Sequence, residues 1–180
     1  MKLSAFLLLM VIAFSSCSED DISGTQKKCK EILANLPTTE HKTLGMSAHS
    51  AESSGVNFYY RDKKIVLATV ATYDESNRSN TQYFFDDNEL ICVVQDDYVY
   101  NRPTYMTEER ALKDGDSVWY DDSKTKMTTT RYYFYDGRMV KWINKDNKVI
   151  PETNKKYDFQ AAILLRDAEK IKKMSGVNVE

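Results

Sequence analysis

The sequence predicts an α+β fold: a curved antiparallel sheet of consecutive β-hairpins, packed by a C-terminal helix and joined by a short N-terminal helix. Three observations carry this expectation. First, NFYYRDKKIVLA at 57–68, QYFFDDNELICV at 82–93 and RYYFYDGRMVKW at 131–142 align without gaps. Each has three aromatics, a variable residue, Asp, a second turn residue, another variable residue and two aliphatics. Aromatic and β-branched runs around a two-residue Asp-containing loop are a strong local hairpin signal. Second, DFQAAILLRDAEKIKKMSG at 158–176 places apolar residues at helical spacing. Third, 180 residues with only 6 Gly and 3 Pro suit one ordinary domain with a sizeable core.

The chain begins MKLSAFLLLMVIAFSSC. Lys2 supplies a positive start, and 3–14 form an apolar stretch too short for a stable membrane span, which needs about 20 residues. Residues 1–16 therefore read as a signal peptide. Ser15-Ser16-Cys17 resembles the lipobox of bacterial lipoproteins, with Phe14 where that family usually has an aliphatic residue. The resemblance implies cleavage before Cys17 and a diacylglyceryl group on its thiol; the alternative is a plain signal peptide. Each buried acyl methylene contributes about 0.8 kcal/mol, so a multi-chain anchor is effectively permanent. Residues 17–25, with Ser18-Glu19-Asp20-Asp21, read as an acidic tether. The acidic cluster resembles the export tags of some outer-membrane lipoproteins. It implies an outer-membrane location, lipid-anchored, on the surface-exposed or the periplasmic face.

Residues 26–180 are expected to form the single α+β domain. QKKCKEILANL at 26–36 spaces Cys29, Ile32, Leu33 and Leu36 as a short amphipathic helix that Pro37 stops. Thr43 to Ser47 form a candidate first strand. In the hairpins a regular two-residue loop pairs Tyr60 with Ile65, Tyr59 with Val66, Phe85 with Leu90, Phe84 with Ile91, Phe134 with Met139 and Tyr133 with Val140. Asp136-Gly137 and Asp87-Asn88 suit the positive φ of a type I′ turn; Asp62-Lys63 is the weakest candidate. Strict alternation then puts Phe58, Tyr60, Ile65, Leu67, Tyr83, Phe85, Leu90, Cys92, Val94, Phe134, Met139 and Ile143 on a core face. Tyr59, Val66, Phe84, Ile91, Val93, Tyr133, Val140 and Trp142 fall on the other. That second face is either covered or is an aromatic surface with a charged rim, suited to a sugar, a peptide or a protein. The candidate ligand-binding residues are Tyr59, Phe84, Tyr133 and Trp142.

Between the second and third hairpins lies a long tyrosine-rich crossover. Tyr98 to Tyr100 continue a strand, and Thr107 can cap a short helix through Leu112 that Asp114-Gly115 ends. Tyr98 and Tyr100 join the candidate binding residues because functional loops favour such insertions. After a turn at Lys145-Asp146-Asn147 comes the C-terminal helix. Asp158 is its candidate N-cap, Ala161, Leu164, Leu165, Ala168 and Ile171 its buried stripe, and Gly176 its C-cap.

The near-balanced charge of −2 argues against a nucleic-acid partner, which calls for a basic face. His41 and His49 lack metal-site spacing, and no glycine-rich phosphate loop is present. Ser47 lies outside any nucleophile elbow, and the acid pairs match no calcium loop. No catalytic constellation, metal site or cofactor is therefore expected. An oxidising compartment permits a disulfide between Cys29 and Cys92, but they show no spacing motif and Cys92 reads as a small buried hydrophobe, which favours the unbridged alternative. The lipobox, the acidic tag, the YYF-x-D-G hairpins and the run Asp97-Tyr98-x-Tyr100-Asn101-Arg102-Pro103 together resemble a family of small uncharacterised bacterial outer-membrane lipoproteins. That resemblance implies no activity and transfers no catalytic residue. The reading it leaves is a membrane-anchored, non-enzymatic recognition or scaffold module with a protein or glycan partner. The alternatives are a secreted-protein inhibitor or partner subunit, and a carrier of a lipid or small hydrophobic ligand.

Overall fold

The computed structural model describes residues 19–47 and 53–176. Cys17, the signal segment and His49 lie outside the described residues. Helix α1 (Glu19–Asn35) ends in a 3₁₀ turn and is followed by β1 (Glu40–Ser47) and β2 (Ser53–Arg61). Next come β3 (Lys64–Tyr73), β4 (Asn77–Asp86), β5 (Glu89–Val99), α2 (Glu108–Lys113), β6 (Lys126–Tyr135), β7 (Arg138–Ile143), β8 (Val149–Ile150) and α3 (Tyr157–Ser175). The eight strands form one antiparallel sheet in chain order, β1 to β8, which stays open rather than closing into a barrel. No described helix is long and apolar enough to cross a membrane.

All three repeated hairpins turn on two residues with positive φ: Asp62 and Lys63 at 51° and 64°, Asp87 and Asn88 at 48° and 67°, Asp136 and Gly137 at 49° and 68°. This conformation matches the right-handed twist of the flanking strands. Lys63 adopts it despite the steric cost to a side chain with a Cβ, roughly 1–2 kcal/mol. Lys63→Gly is therefore expected to raise stability by about 0.5–1 kcal/mol after the added chain entropy of glycine. A urea midpoint that falls would show that Lys63 has a compensating contact.

The pairing nearest each turn agrees with the sequence expectation: Tyr60 faces Ile65, Phe85 faces Leu90 and Phe134 faces Met139. One step further in, each hairpin carries a β-bulge. Tyr59 pairs with Leu67 rather than Val66, Phe84 with Cys92 rather than Ile91, and Tyr133 with Lys141 rather than Val140. Val66, Ile91 and Val140 are the extra residues. A bulge sets two residues against one, so the face of every later residue on the return strand reverses. Leu67, Cys92, Val94 and Ile143, expected on the C-terminal-helix face, belong instead to the cluster beneath α1. Val93 and Trp142, expected on the opposite face, belong to the cluster under α3.

Each face has its own helix. Helix α3 lays Tyr157, Leu164, Ala168 and Ile171 over Val56, Phe58, Ile65, Tyr83, Phe85, Val93 and Phe134. It is tied down where Tyr60 Oη donates to the Ser175 carbonyl at 2.9 Å and Lys172 Nζ to the Asn88 carbonyl at 3.2 Å. These partners stretch from β7 to β2, so the helix crosses the strands near the hairpin tips. Asp158 does not cap it; Lys156 holds the N-cap position without a side-chain bond, and Asp158 sits in the first turn. Gly176, at φ 78°, closes the other end as expected.

Helix α1 covers the second face with Ile22, Cys29 and Ile32, joined by Leu36 of the following 3₁₀ turn, over Leu67, Phe84, Cys92 and Tyr133. Residues 19–25, expected to be tether, are its first two turns. Ile22 extends the apolar stripe one heptad upstream, a single hydrophobe that the surrounding polar residues conceal.

Burial pushes Tyr83, Tyr132 and Tyr157 up to about 12. Their folded-state values exceed the unfolded value of about 10, so their contribution to stability is complete below that pH. It is lost as pH rises through about 12. Sheet circular dichroism is expected to collapse in that window together with a late step in phenolate absorbance. All 12 tyrosines ionising in one step with the sheet intact would contradict this burial.

Candidate recognition surface

The structure separates the six candidate binding residues. Phe84 and Tyr133 are 1% and 5% exposed, and Gln26 Nε2 of α1 donates to Tyr133 Oη at 3.1 Å. Tyr59 is half-buried at the margin of the same cluster, its ring stacked 6.0 Å from His41. The bulge turns Trp142 to the opposite face, where it packs on Tyr132 and Tyr157 at 5.6 and 6.2 Å. These four residues make no open aromatic face. The expectation fails because a face this apolar lowers its free energy by burial, and α1 supplies the cover. Tyr98 and Tyr100 remain half-buried at the other end of the sheet.

Both helices sit over the half of the sheet near the hairpin tips. The other half is built from polar rungs on the strands that extend past the helices. On the α1 side Thr43 Oγ1 donates to Asn57 Oδ1 at 2.7 Å, and Asn57 Nδ2 donates to Thr69 Oγ1 at 3.3 Å. Farther out, Asn80 pairs with Asp96, whose carboxylate accepts from Thr129 Oγ1 at 2.6 Å. The outermost rung pairs Arg78 with Tyr98. The Arg78 guanidinium lies 4.4 Å from the Tyr98 ring centre, a cation–π contact. Ala71, Tyr73, Arg78, Ser79, Asn80 and Tyr98 line a shallow open basin of about 290 Å³.

The crossover between β5 and β6 walls this end. It is pinned to the β3–β4 turn by Tyr100 N–H on the Ser76 carbonyl at 3.0 Å and Thr104 N–H on the Glu75 carbonyl at 2.7 Å. Asn101 then clamps the loop: Nδ2 donates to the Trp119 carbonyl at 2.8 Å, and Oδ1 accepts from Asp121 N–H at 2.9 Å. Arg102 pairs with Asp116. Thr107 caps α2 as expected, accepting from Arg110 N–H at 3.3 Å. The loop thereby sets Tyr100 edge-on to Tyr120, with 5.3 Å between ring centres. Desolvation, and then the hydrogen bond to Asp122, raise the Tyr120 phenol above its ordinary range. Arg110 stands 4.9 Å over the Tyr105 ring, a second arginine–tyrosine stack.

No protein-family model, curated protein or solved structure matches this chain. The surface is therefore read from its own chemistry. A larger cleft of about 660 Å³ opens between α1 and the hairpin tips, lined by Asp86, Asp87, Glu89, Asp136 and Lys28. Leu90, Ile91, Phe134 and Tyr135 also line it, and Lys28 of α1 pairs with Asp86 across it. The smaller basin sets two tyrosines beside a guanidinium and carries no carboxylate in its lining, so it is the better contact surface. Among the described residues no three His, Cys, Asp or Glu side chains converge into a metal site.

Arg78, Asn80 and Tyr73 escape sequence reasoning, because NRSNTQ at 77–82 shows no apolar alternation. A usable signal exists. Extending the second hairpin outward from Phe85 and Leu90, with one bulged residue allowed, brings Arg78 opposite Tyr98.

Proposed function

We propose that the chain is a lipoprotein anchored at the outer membrane through Cys17, and that it acts as a non-enzymatic recognition module for a protein partner. Its contact surface is the open end of the sheet around Arg78 and Tyr98, not the covered aromatic centre. The observation that supports this reading is the pair of arginine–tyrosine stacks, half-buried Arg78 on Tyr98 and exposed Arg110 of α2 on Tyr105, outside the half of the sheet that α1 and α3 cover. Tyrosine and arginine are enriched at interface centres because they supply wide contact area and several donors for little lost freedom. A shallow basin suits a protein surface better than a small enclosed ligand. A lipid carrier would need an enclosed apolar cavity, whereas here each apolar face is filled by a helix. A partner subunit or an inhibitor would use the same surface.

Only Ser18 stands between Cys17 and the first residue of α1. At about 3.6 Å per residue, a lipid on Cys17 would hold that helix within about 7 Å of its attachment point. Mass spectrometry of the mature N-terminus tests the anchor, and an unmodified Cys17 would remove it.

The surface is tested by immobilising wild type and the Arg78→Ala/Tyr98→Ala variant against an envelope extract and comparing what each retains. The expected result is at least a tenfold loss of a retained protein, as roughly 2 kcal/mol of hot-spot energy requires. The melting temperature should move by less than about 4 °C, since neither side chain is in the core. Equal retention would discard the surface, and retention of polysaccharide alone would change the ligand class to glycan.

A further inference from the structure

The two described cysteines take no part in the recognition surface. Cys29 lies on the buried stripe of α1, and Cys92 lies on β5 beneath that helix. Both are free thiols, 8% and 2% exposed, packed in one cluster with Ile32, Leu67, Phe84 and Tyr133. The two thiols share this cluster, and the neighbouring Cys29 thiol together with desolvation holds the Cys92 thiol well above its ordinary range. Polar ties of α1 to the sheet include Gln26 to Tyr133 and Lys28 to Asp86.

We propose that Cys29 and Cys92 form a covalent cross-linking site, closing into a disulfide that fastens α1 to β5 in an oxidising compartment. In the cell this rests on the exported-lipoprotein reading, because a signal peptide delivers the chain to such a compartment. The oxidant is a disulfide of the glutathione or thiol-oxidoreductase class. A Cys29 thiolate attacks it, its S–S bond breaks, and one thiolate leaves with a mixed disulfide formed on Cys29. A Cys92 thiolate then attacks the Cys29 sulfur and expels the second thiolate. The oxidant has taken up two electrons, and the two cysteine protons end on the two released thiols. In the folded state the raised Cys92 thiol is a poor nucleophile. Closure therefore occurs during folding or when α1 lifts.

The full chain carrying Cys17→Ser, which removes the third thiol and the lipid, is reduced, unfolded and refolded in a glutathione redox buffer, then alkylated and digested. The expected result is a Cys29–Cys92 linked peptide. The oxidised form should melt about 10 °C above the reduced form, as a bridge closing a loop of about 60 residues predicts for a domain of this size. Cys92→Ala should lose both signals. Free thiols at equilibrium in an oxidising buffer, or an oxidised form that melts no higher, would overturn the proposal. Because the buffer supplies the oxidant, that failure is independent of export. A link formed in the buffer with free thiols in intact cells would overturn the export reading instead.

Discussion

Phe84→Ala is expected to cost about 3–5 kcal/mol, a large part of the stability of an ordinary domain. Phe84 is 1% exposed and lies on β4 opposite Cys92, with α1 above it. Removing the ring opens a cavity between a central strand and a helix, and the wall least able to collapse into it is the hydrogen-bonded sheet. Urea unfolding followed by circular dichroism should show a lower midpoint with an unchanged slope. Tyr98→Ala should move the same midpoint by about 0.5–1 kcal/mol at most, because its ring is half-buried and stacked on Arg78 outside the two core clusters. The contrast separates the two halves of one sheet face. If Phe84→Ala proved as mild as Tyr98→Ala, α1 would not be seated on the sheet.

Ile32→Asp should release α1 while leaving the sheet folded. Ile32 is 6% exposed on the stripe that meets Leu67, Phe84 and Tyr133. Loss of its packing alone costs roughly 2–5 kcal/mol, and desolvating a carboxylate among these apolar side chains adds to that. At about 1.4 kcal/mol per tenfold, alkylation of Cys92 should accelerate on the order of a hundredfold. The strand signal should persist, because α3 still covers the opposite face. Slow alkylation in the variant would mean that something other than α1 shields Cys92, and a lost strand signal would mean that α1 is required by the whole domain.

These experiments bear on the element whose placement decided the reading. Each repeated hairpin is legible because its information is local: aromatic runs, a two-residue turn and an aliphatic return within twelve residues. The tip pairings Tyr60–Ile65, Phe85–Leu90 and Phe134–Met139 follow from turn geometry alone. The C-terminal helix and its Gly176 cap are equally local. The bulges at Val66, Ile91 and Val140 leave no such mark, because an extra aliphatic in an aliphatic run satisfies either parity. One unseen residue per hairpin therefore sent Trp142 to one face and Leu67 and Cys92 to the other.

By itself the sequence determined the three repeated hairpins, the C-terminal helix and their order, because turn residues and hydrophobic period act between near neighbours along the chain. Only the tertiary structure decided which face each return strand presents and where water is excluded. Those depend on how α1 and α3 divide the sheet, through contacts between residues as far apart as Gln26 and Tyr133, or Tyr60 and Ser175. Pairings at that separation form when apolar surface finds cover, and in this chain the cover closed the aromatic centre and left the Arg78–Tyr98 end half-buried outside both helices.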